Sequence, residues 1–292
     1  MNPFGLRRGL LLLALPVAMA VSAFFVPRDA VTGIDLACRL SPPTWQHPLG
    51  TDELGRDLLA RMVWGARLSL SIGVVVVGIA GAAGTVAGGA AGYAGGVADR
   101  FFIYVSDVLI SFPGLLLTLA VIALLGPGIR SLCAALILTG WIGYARYARA
   151  LTLSLRAREF IEAQRAIGSP LHRILLRHLL PNIVGPMAVL AAMGVAWVVL
   201  AEGVLSFLGL GVQPPMPSWG SMINDGRRHL LDAPALILIP GSALLLTLLG
   251  FTAIGEDLAA LTDARDLDSH VPPAGGGVAG SSGGRLKKFL QL

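Results

Sequence analysis

Six long apolar runs separated by polar stretches dominate the chain: Leu10–Val26, Leu68–Tyr93, Phe101–Leu125, Leu132–Arg146, Ile183–Leu205 and Ala235–Ile254. The fourth is short and extends through Tyr147 and Ala148 in one reading. A helix of about 20 apolar residues crosses a bilayer. The pattern therefore predicts an all-α, polytopic membrane helix bundle of about six transmembrane helices. The first run has a second reading. Arg7 and Arg8 ahead of it and Ala18-Met19-Ala20 within it fit a signal peptide, although the run is long for a signal core and no mature soluble domain follows.

Composition agrees with the bundle. The 292 residues are 55% hydrophobic and 13% charged, with a mean hydropathy of +0.75, against roughly 25% charged in a soluble domain. The net charge of +5 comes almost entirely from arginine, which in a membrane protein marks the cytoplasmic side more often than it marks a nucleic-acid site. Cys38 and Cys133 are far apart and form neither a metal motif nor a disulfide framework.

The stretch between the fourth and fifth runs holds Arg146, Arg149, Arg156, Arg158, Arg165, Arg173 and Arg177, opposed only by Glu159 and Glu162. The positive-inside rule makes it cytoplasmic. Six crossings then put both termini inside, consistent with Arg7 and Arg8. The segment Pro27–Arg67 falls outside together with the loop Ser206–Pro234. Its Arg28, Arg39, Arg56, Arg61 and Arg67 conflict weakly with the rule, which counts Lys and Arg and gives little weight to Asp29, Asp35, Asp52, Glu53 and Asp57. The organisation read from this is an N-terminal span and external segment (1–67), a membrane core (68–254) with a cytoplasmic loop at 151–181 and an external loop at 206–234, and a tail (255–292). The tail is Pro-, Gly- and Ser-rich and flexible from 269. Its basic end, Arg285–Leu290, fits a lipid-surface contact or an artificial extension equally.

Gly84, Gly88, Gly92 and Gly96 recur every fourth residue and line one helix face, suited to close packing against a helix of this chain or of a partner. The cytoplasmic loop has its own order. Glu159–Ile167 is rich in helix formers, Gly168-Ser169-Pro170 ends that helix, and Leu171, Ile174, Leu175 and Leu179 are spaced for a second helix, Leu171–Leu180, that Pro181 breaks. A helix–turn–helix of more than 30 residues presenting charge and apolar surface fits a protein-docking element. An amphipathic pair resting on headgroups fits equally.

Asp107 and Glu202 lie inside apolar runs, where ionisable groups are expensive. Asp107 is a functional candidate or, the favoured reading, a cap or ion pair with Arg146 or Arg149 at the cytoplasmic boundary; Glu202 lines a pathway or, slightly favoured, holds the outer loop. His47 and His229 belong to different external loops and do not suggest a metal site. No Gly-x4-Gly-Lys-Ser/Thr occurs, so the chain has no phosphate-cradling loop. His-Glu-x2-His, Gly-x-Ser-x-Gly and paired-Cys motifs are missing too, so an intramembrane enzyme is poorly supported.

Glu162, Ala163 and Gly168, followed by Ile174, Leu180 and Pro181, resemble the Glu-Ala motif of binding-protein-dependent ABC permeases, with Gln164 where a second Ala is usual. The resemblance spans nearly the whole chain. His47-Pro48-Leu49-Gly50-Thr51-Asp52-Glu53-Leu54-Gly55-Arg56-Asp57, Gly95-Gly96, Asp99, Asp107 with Phe112-Pro113, Glu202 with Leu205–Gly211, and Trp219-Gly220 are similar to the "C"-type subunit of the peptide/nickel group. Tyr104 stands where an Arg is usual, and Gly255-Glu256-Asp257-Leu258-Ala259-Ala260 replaces the usual Gly-Asp-x-Leu-Arg-Asp. The resemblance implies a non-catalytic importer subunit in the bacterial inner membrane. It would pair with a homologous permease, two ATPases that hold ATP and Mg, and an external binding protein, and would itself bind no cofactor and no nucleic acid. It also implies ATPase coupling through Glu162, Ala163, Arg165, Gly168, Ser169, Ile174 and Pro181. Asp52, Glu53, Arg56, Asp57, Glu202 and Trp219, with Trp45 and Pro214-Pro215, are candidates for binding-protein docking or the pathway. Peptides, di- or oligopeptides, are the favoured cargo and nickel or metal chelates the next. A secondary transporter driven by ions or protons is the rival; it would need midplane acids or broken inverted repeats, and no clear pair is present.

Overall fold

The computed structural model describes residues 4–170 and 173–270. Their regular structure is helical: α1 (Phe4–Ser22), the short α2 (Asp29–Thr32), α3 (Leu58–Ala94), α4 (Gly96–Ile110), α5 (Gly114–Leu125), α6 (Ile129–Arg156), α7 (Glu159–Ala166), α8 (Leu180–Phe207), α9 (Trp219–Gly226) and α10 (Ala235–His270). Among the described residues the one β pairing is an isolated bridge between Thr51 and Asp57.

The main core lies between α3, α6 and α8, where Ile72, Val76, Leu132, Leu136, Val199 and Leu205 are each at most 3% exposed. α1 packs on α10 through two glycines: Gly9 lies against Ile254, and Gly250 against Leu13. The rest of the apolar surface faces outward, as in Leu11, Leu15, Leu124 and Leu238, which suits a chain solvated by lipid.

Three helical stretches, Leu58–Ala94, Arg177–Phe207 and Ala235–Thr262, are each long and apolar enough to cross a bilayer. The third apolar run is not one straight span. It breaks into α4 and α5, bent by 83°, because Pro113 lacks an N–H and disfavours helical backbone in the residue before it. Taken as one span, the pair is a fourth candidate.

Several boundaries move. α3 starts at Leu58, ten residues ahead of the apolar run, because the Asp57 carboxylate accepts the Ala60 N–H at 2.7 Å and caps it. α6 runs on to Arg156 and α10 to His270, so both helices continue past their apolar runs; the tail expected to be flexible from 269 lies outside the described residues from 271 onward. The glycine repeat divides. Gly84, Gly88 and Gly92 pack intrachain against the α6 backbone at Trp141, Ala145 and Arg149, whereas Gly96 opens α4 with φ +59°.

The expected break at Pro181 does not occur. Ile174–Leu179 is wound as a π-helix that passes straight into α8, with Pro181 in its first turn. A wider turn removes the clash between the proline ring and the carbonyl four residues back. The Asn182 side-chain amide donates to the His178 carbonyl at 2.6 Å, serving an acceptor at the same distorted turn. The second helix of the expected helix–turn–helix is therefore an extension of a long helix. Leu171 lies outside the described residues, as does the side chain of Leu175.

Candidate functional site

The functional candidates gather at the two ends of α3, which at about 1.5 Å per residue is long enough to separate them by the full bilayer. At its C-terminal end Arg156 donates to the Tyr93 carbonyl at 3.0 Å, and α7 follows immediately. Gly168 takes φ +73° and the Ser169 N–H donates to the Gln164 carbonyl at 3.0 Å, a six-to-one closure that ends α7. The Ser169 hydroxyl hydrogen-bonds to Gln164 Oε1 at 2.8 Å.

This short helix has two sides. Ile161 is fully buried and joins Ile174 and Leu179 in the main core. Glu159, Glu162, Ala163, Ala166 and Ile167 are all exposed, at the three- and four-residue spacing of one helix face. Ile167 is 72% exposed. Of the other residues singled out here, Gly168 and Pro181 are exposed, Ser169 is half-buried and Ile174 is buried. Arg165 belongs to α7, but its side chain lies outside the described residues.

At the opposite end, residues 29–57 and 208–234 meet over the start of α3. Asp52 organises them. Its Oδ1 accepts the backbone N–H groups of Leu54 and Arg56, both at 2.9 Å. Its Oδ2 accepts Arg56 Nε at 2.6 Å and faces Arg61 Nε at 3.3 Å. Both arginines reach on to Asp225 of α9, at 3.9 Å from Arg56 and 3.3 Å from Arg61. Burial raises the Asp225 carboxyl above the ordinary range, against the pull of the two guanidiniums. Asp57, besides capping α3, binds His47 Nδ1 at 2.8 Å, and His229 meets Glu53 at 3.4 Å.

These placements change the picture of the surface expected to face outward. Asp52 and Arg56, expected as exposed charged contacts, are 5% and 7% exposed and use their charges on one another. Trp219 is fully buried, donating its ring N–H to the Met62 carbonyl at 3.2 Å, whereas Trp45 is fully exposed. Arg61 and Asp225 belong to the knot and were not singled out by sequence. Asp225 is 164 positions from its partner, and no local pattern marks such a pair.

Glu202 is fully buried and accepts Ser69 Oγ at 2.8 Å and Ser206 Oγ at 2.7 Å. Ser206 in turn accepts the Val212 N–H at 3.2 Å. The carboxylate thus ties α3, α8 and the loop that follows α8 together. Glu202→Ala should destabilise the folded chain by about 3 kcal/mol, because it strands two buried hydroxyls beside a cavity. Thermal unfolding in detergent is the measurement, and an unchanged midpoint would remove this tie from the account. Asp107 pairs with Arg146 at 3.0 Å, as expected, and Arg149 grips Asp99 with two bonds of 2.5 and 2.7 Å.

Residues 84–264 match the family model described as "Binding-protein-dependent transport system inner membrane component". The chain is 40% identical over 256 residues, 88% of its own length and 84% of the relative's, to the "Glutathione transport system permease protein GsiD" of Escherichia coli O6:K15:H31. The protein of that name from Shigella boydii serotype 4 gives the same figures, and the one from Shigella dysenteriae serotype 1 is 39% identical over the same coverage. With its helical bundle and the order of its motifs, the chain belongs to the family of binding-protein-dependent transport inner membrane components, the permease subunits of ABC importers.

Proposed function

We propose that α7 is the element through which this permease subunit is driven by its ATPase, with Glu162, Ala163, Arg165, Gly168, Ser169, Ile174 and Pro181 forming or supporting the contact. The observation that carries this reading is the division of α7: Ile161 anchors it in the core, while an acidic and apolar face ending in Ile167 is turned to solvent. A helix resting on core that offers a rigid exposed face can be pushed as a unit and can transmit a rigid-body displacement to α6 and α8. ATP and Mg belong to the partner; this chain contributes the shape of the surface.

The proposed assembly has two homologous permease subunits, two ATPases and an external binding protein. In this chain α1, α3, the bent α4–α5 pair, α6, α8 and α10 make six crossings, and both termini are cytoplasmic. Asp52, Glu53, Arg56, Asp57 and Trp219 shape the external docking region, the buried members by holding it and Glu53 and Trp45 by surface contact. The cargo is a small peptide or related solute. The 40% identity to a glutathione permease protein favours the peptide branch over nickel chelates, since glutathione is itself a small peptide.

The test uses the whole complex. Glu162→Ala should lower ATPase co-purification and uptake by at least about tenfold, as loss of a central interface contact does, while the chain stays folded, since Glu162 is exposed. Gly168→Ala should act more mildly. A Cβ there meets nothing within 4 Å, and only the left-handed backbone costs about 1 kcal/mol. Normal assembly and uptake in both variants would refute the coupling role.

A further inference from the structure

At the outer end of α3, away from α7, Arg28, Arg67 and Phe24 gather around Trp64, which belongs to a small core cluster with Ala23, Val31, Ala60 and Val63. The guanidinium carbon of Arg67 stands 4.2 Å from the centre of the Phe24 ring and 5.4 Å from that of Trp64. That of Arg28 stands 5.7 Å from the Trp64 ring. Trp64 is fixed between them, 8% exposed and donating its ring N–H to the Val26 carbonyl at 3.0 Å. Stacking on aromatic faces holds a guanidinium in place while leaving its in-plane N–H donors free. Among the described residues neither guanidinium has a hydrogen bond or ion pair. The carboxylates Asp52 and Asp57 of the outer segment are engaged by Arg56, Arg61 and His47.

Arg67 lies in a helix apolar and long enough to cross a bilayer, where an unpaired cation is costly and calls for an anion. The surroundings indicate which kind. Phe24 and Phe25 are 70% and 84% exposed beside the arginines. The exposed Leu10, Val17 and Val21 continue that apolar surface along one face of α1. An anion that brings its own hydrocarbon satisfies both features at once; an acidic protein loop would leave the phenylalanines uncovered.

We propose that Arg28, Arg67, Trp64 and Phe24 form a binding site for the phosphate headgroup of an anionic phospholipid of the phosphatidylglycerol or cardiolipin type. The two guanidiniums donate to phosphate oxygens, and the acyl chains lie along Phe24, Phe25 and Val21. The site is in the leaflet opposite the α7 end, and it rests on the membrane bundle alone, not on the coupling role of α7.

Native mass spectrometry of the full chain, purified in detergent and offered equal amounts of phosphatidylglycerol and phosphatidylcholine, reads this directly. Phosphatidylglycerol adducts should predominate. Arg28→Gln and Arg67→Gln should each lower their retention about fivefold, and together about 25-fold, from the typical pull of one basic residue on an anionic surface. Arg28 is exposed, so its variant tests the site even if Arg67→Gln folds poorly. Arg39→Gln, in the exposed external segment, should leave retention unchanged. Equal adducts of the two lipids, or full retention in the double variant, would overturn the proposal. So would inorganic phosphate alone bound as well as the lipid, which would assign the cluster to a soluble anion. Lipid retention intact with binding-protein association lost in the double variant would overturn it in favour of a protein contact.

Discussion

A chain carrying valine at Gly88 is expected not to accumulate as a folded membrane protein. The Cβ of any residue at this position would land on the Ala145 carbonyl of α6, with the Ala145 carbonyl carbon and Cα also inside 3 Å. The obstacle is backbone, so no side chain can rotate away; α3 and α6 must separate. Gly84 and Gly92 meet the same helix one turn to either side, so a local separation spreads along the interface that seats Val76, Val77, Leu136 and Tyr144. The cost should be on the order of 5 kcal/mol, at the extreme of single substitutions, and that is the size of the whole stability margin of many domains. Gly78 is the control on the same helix. A Cβ there meets nothing within 4 Å, and Gly78→Ala should be neutral or mildly stabilising, since alanine is the better helix former. The readout is the monodisperse fraction recovered in detergent together with the unfolding midpoint. Equal recovery of the two variants would mean that α3 and α6 do not approach as closely as described.

The second large effect is expected outside the bilayer. Asp52→Ala removes the acceptor of two backbone N–H groups and two guanidiniums at once. Arg56 and Arg61 have side chains 8% and 4% exposed, and they would be left with Asp225 at 3.9 and 3.3 Å. Breaking a buried ion pair from one side costs about 3–5 kcal/mol, because the surviving charge stays out of water. The segment 29–57 should then open before the bundle does, appearing as new protease sensitivity on that side and a lowered unfolding midpoint. Asp52→Asn keeps one acceptor oxygen and should fall between. If the alanine variant resists protease as well as the parent, the carboxylate is not what holds the two outer segments together.

Both expectations depend on features that the linear pattern shows only in part. The recurrence of Gly84, Gly88 and Gly92 is visible in the sequence, and it correctly marks a face for close approach. Periodicity cannot say which helix approaches, because a bare glycine face accepts any backbone. The Asp52–Arg56 spacing is visible as well, but those charges read as surface contacts. Their burial depends on Arg61 one turn into α3 and on Asp225 across the fold, and a distant partner leaves no trace in local spacing. The Pro181 break was expected from the missing N–H alone; the π-turn before it removes the clash, and helix continuity there is decided by how the chain must enter α8. The bend at Pro113 shows the opposite outcome, since no widened turn precedes it and the run breaks.

What the sequence by itself determined is the class of molecule and the stop that ends a short helix in its arginine-rich stretch. Apolar runs of bilayer length leave the backbone no alternative to helices, and a Gly-Ser-Pro stop between arginine-rich stretches ends a short helix wherever it lies. Only the tertiary structure decided which face of that helix is free, which acids are buried and which arginines remain unpaired. These are differences in solvation, and solvation is set by neighbours far away in the chain. Ile161 lies inside α7 and Ile167 directly follows it; one is sealed in the core and the other is 72% exposed, because α6 and the π-turn cover a single side of α7.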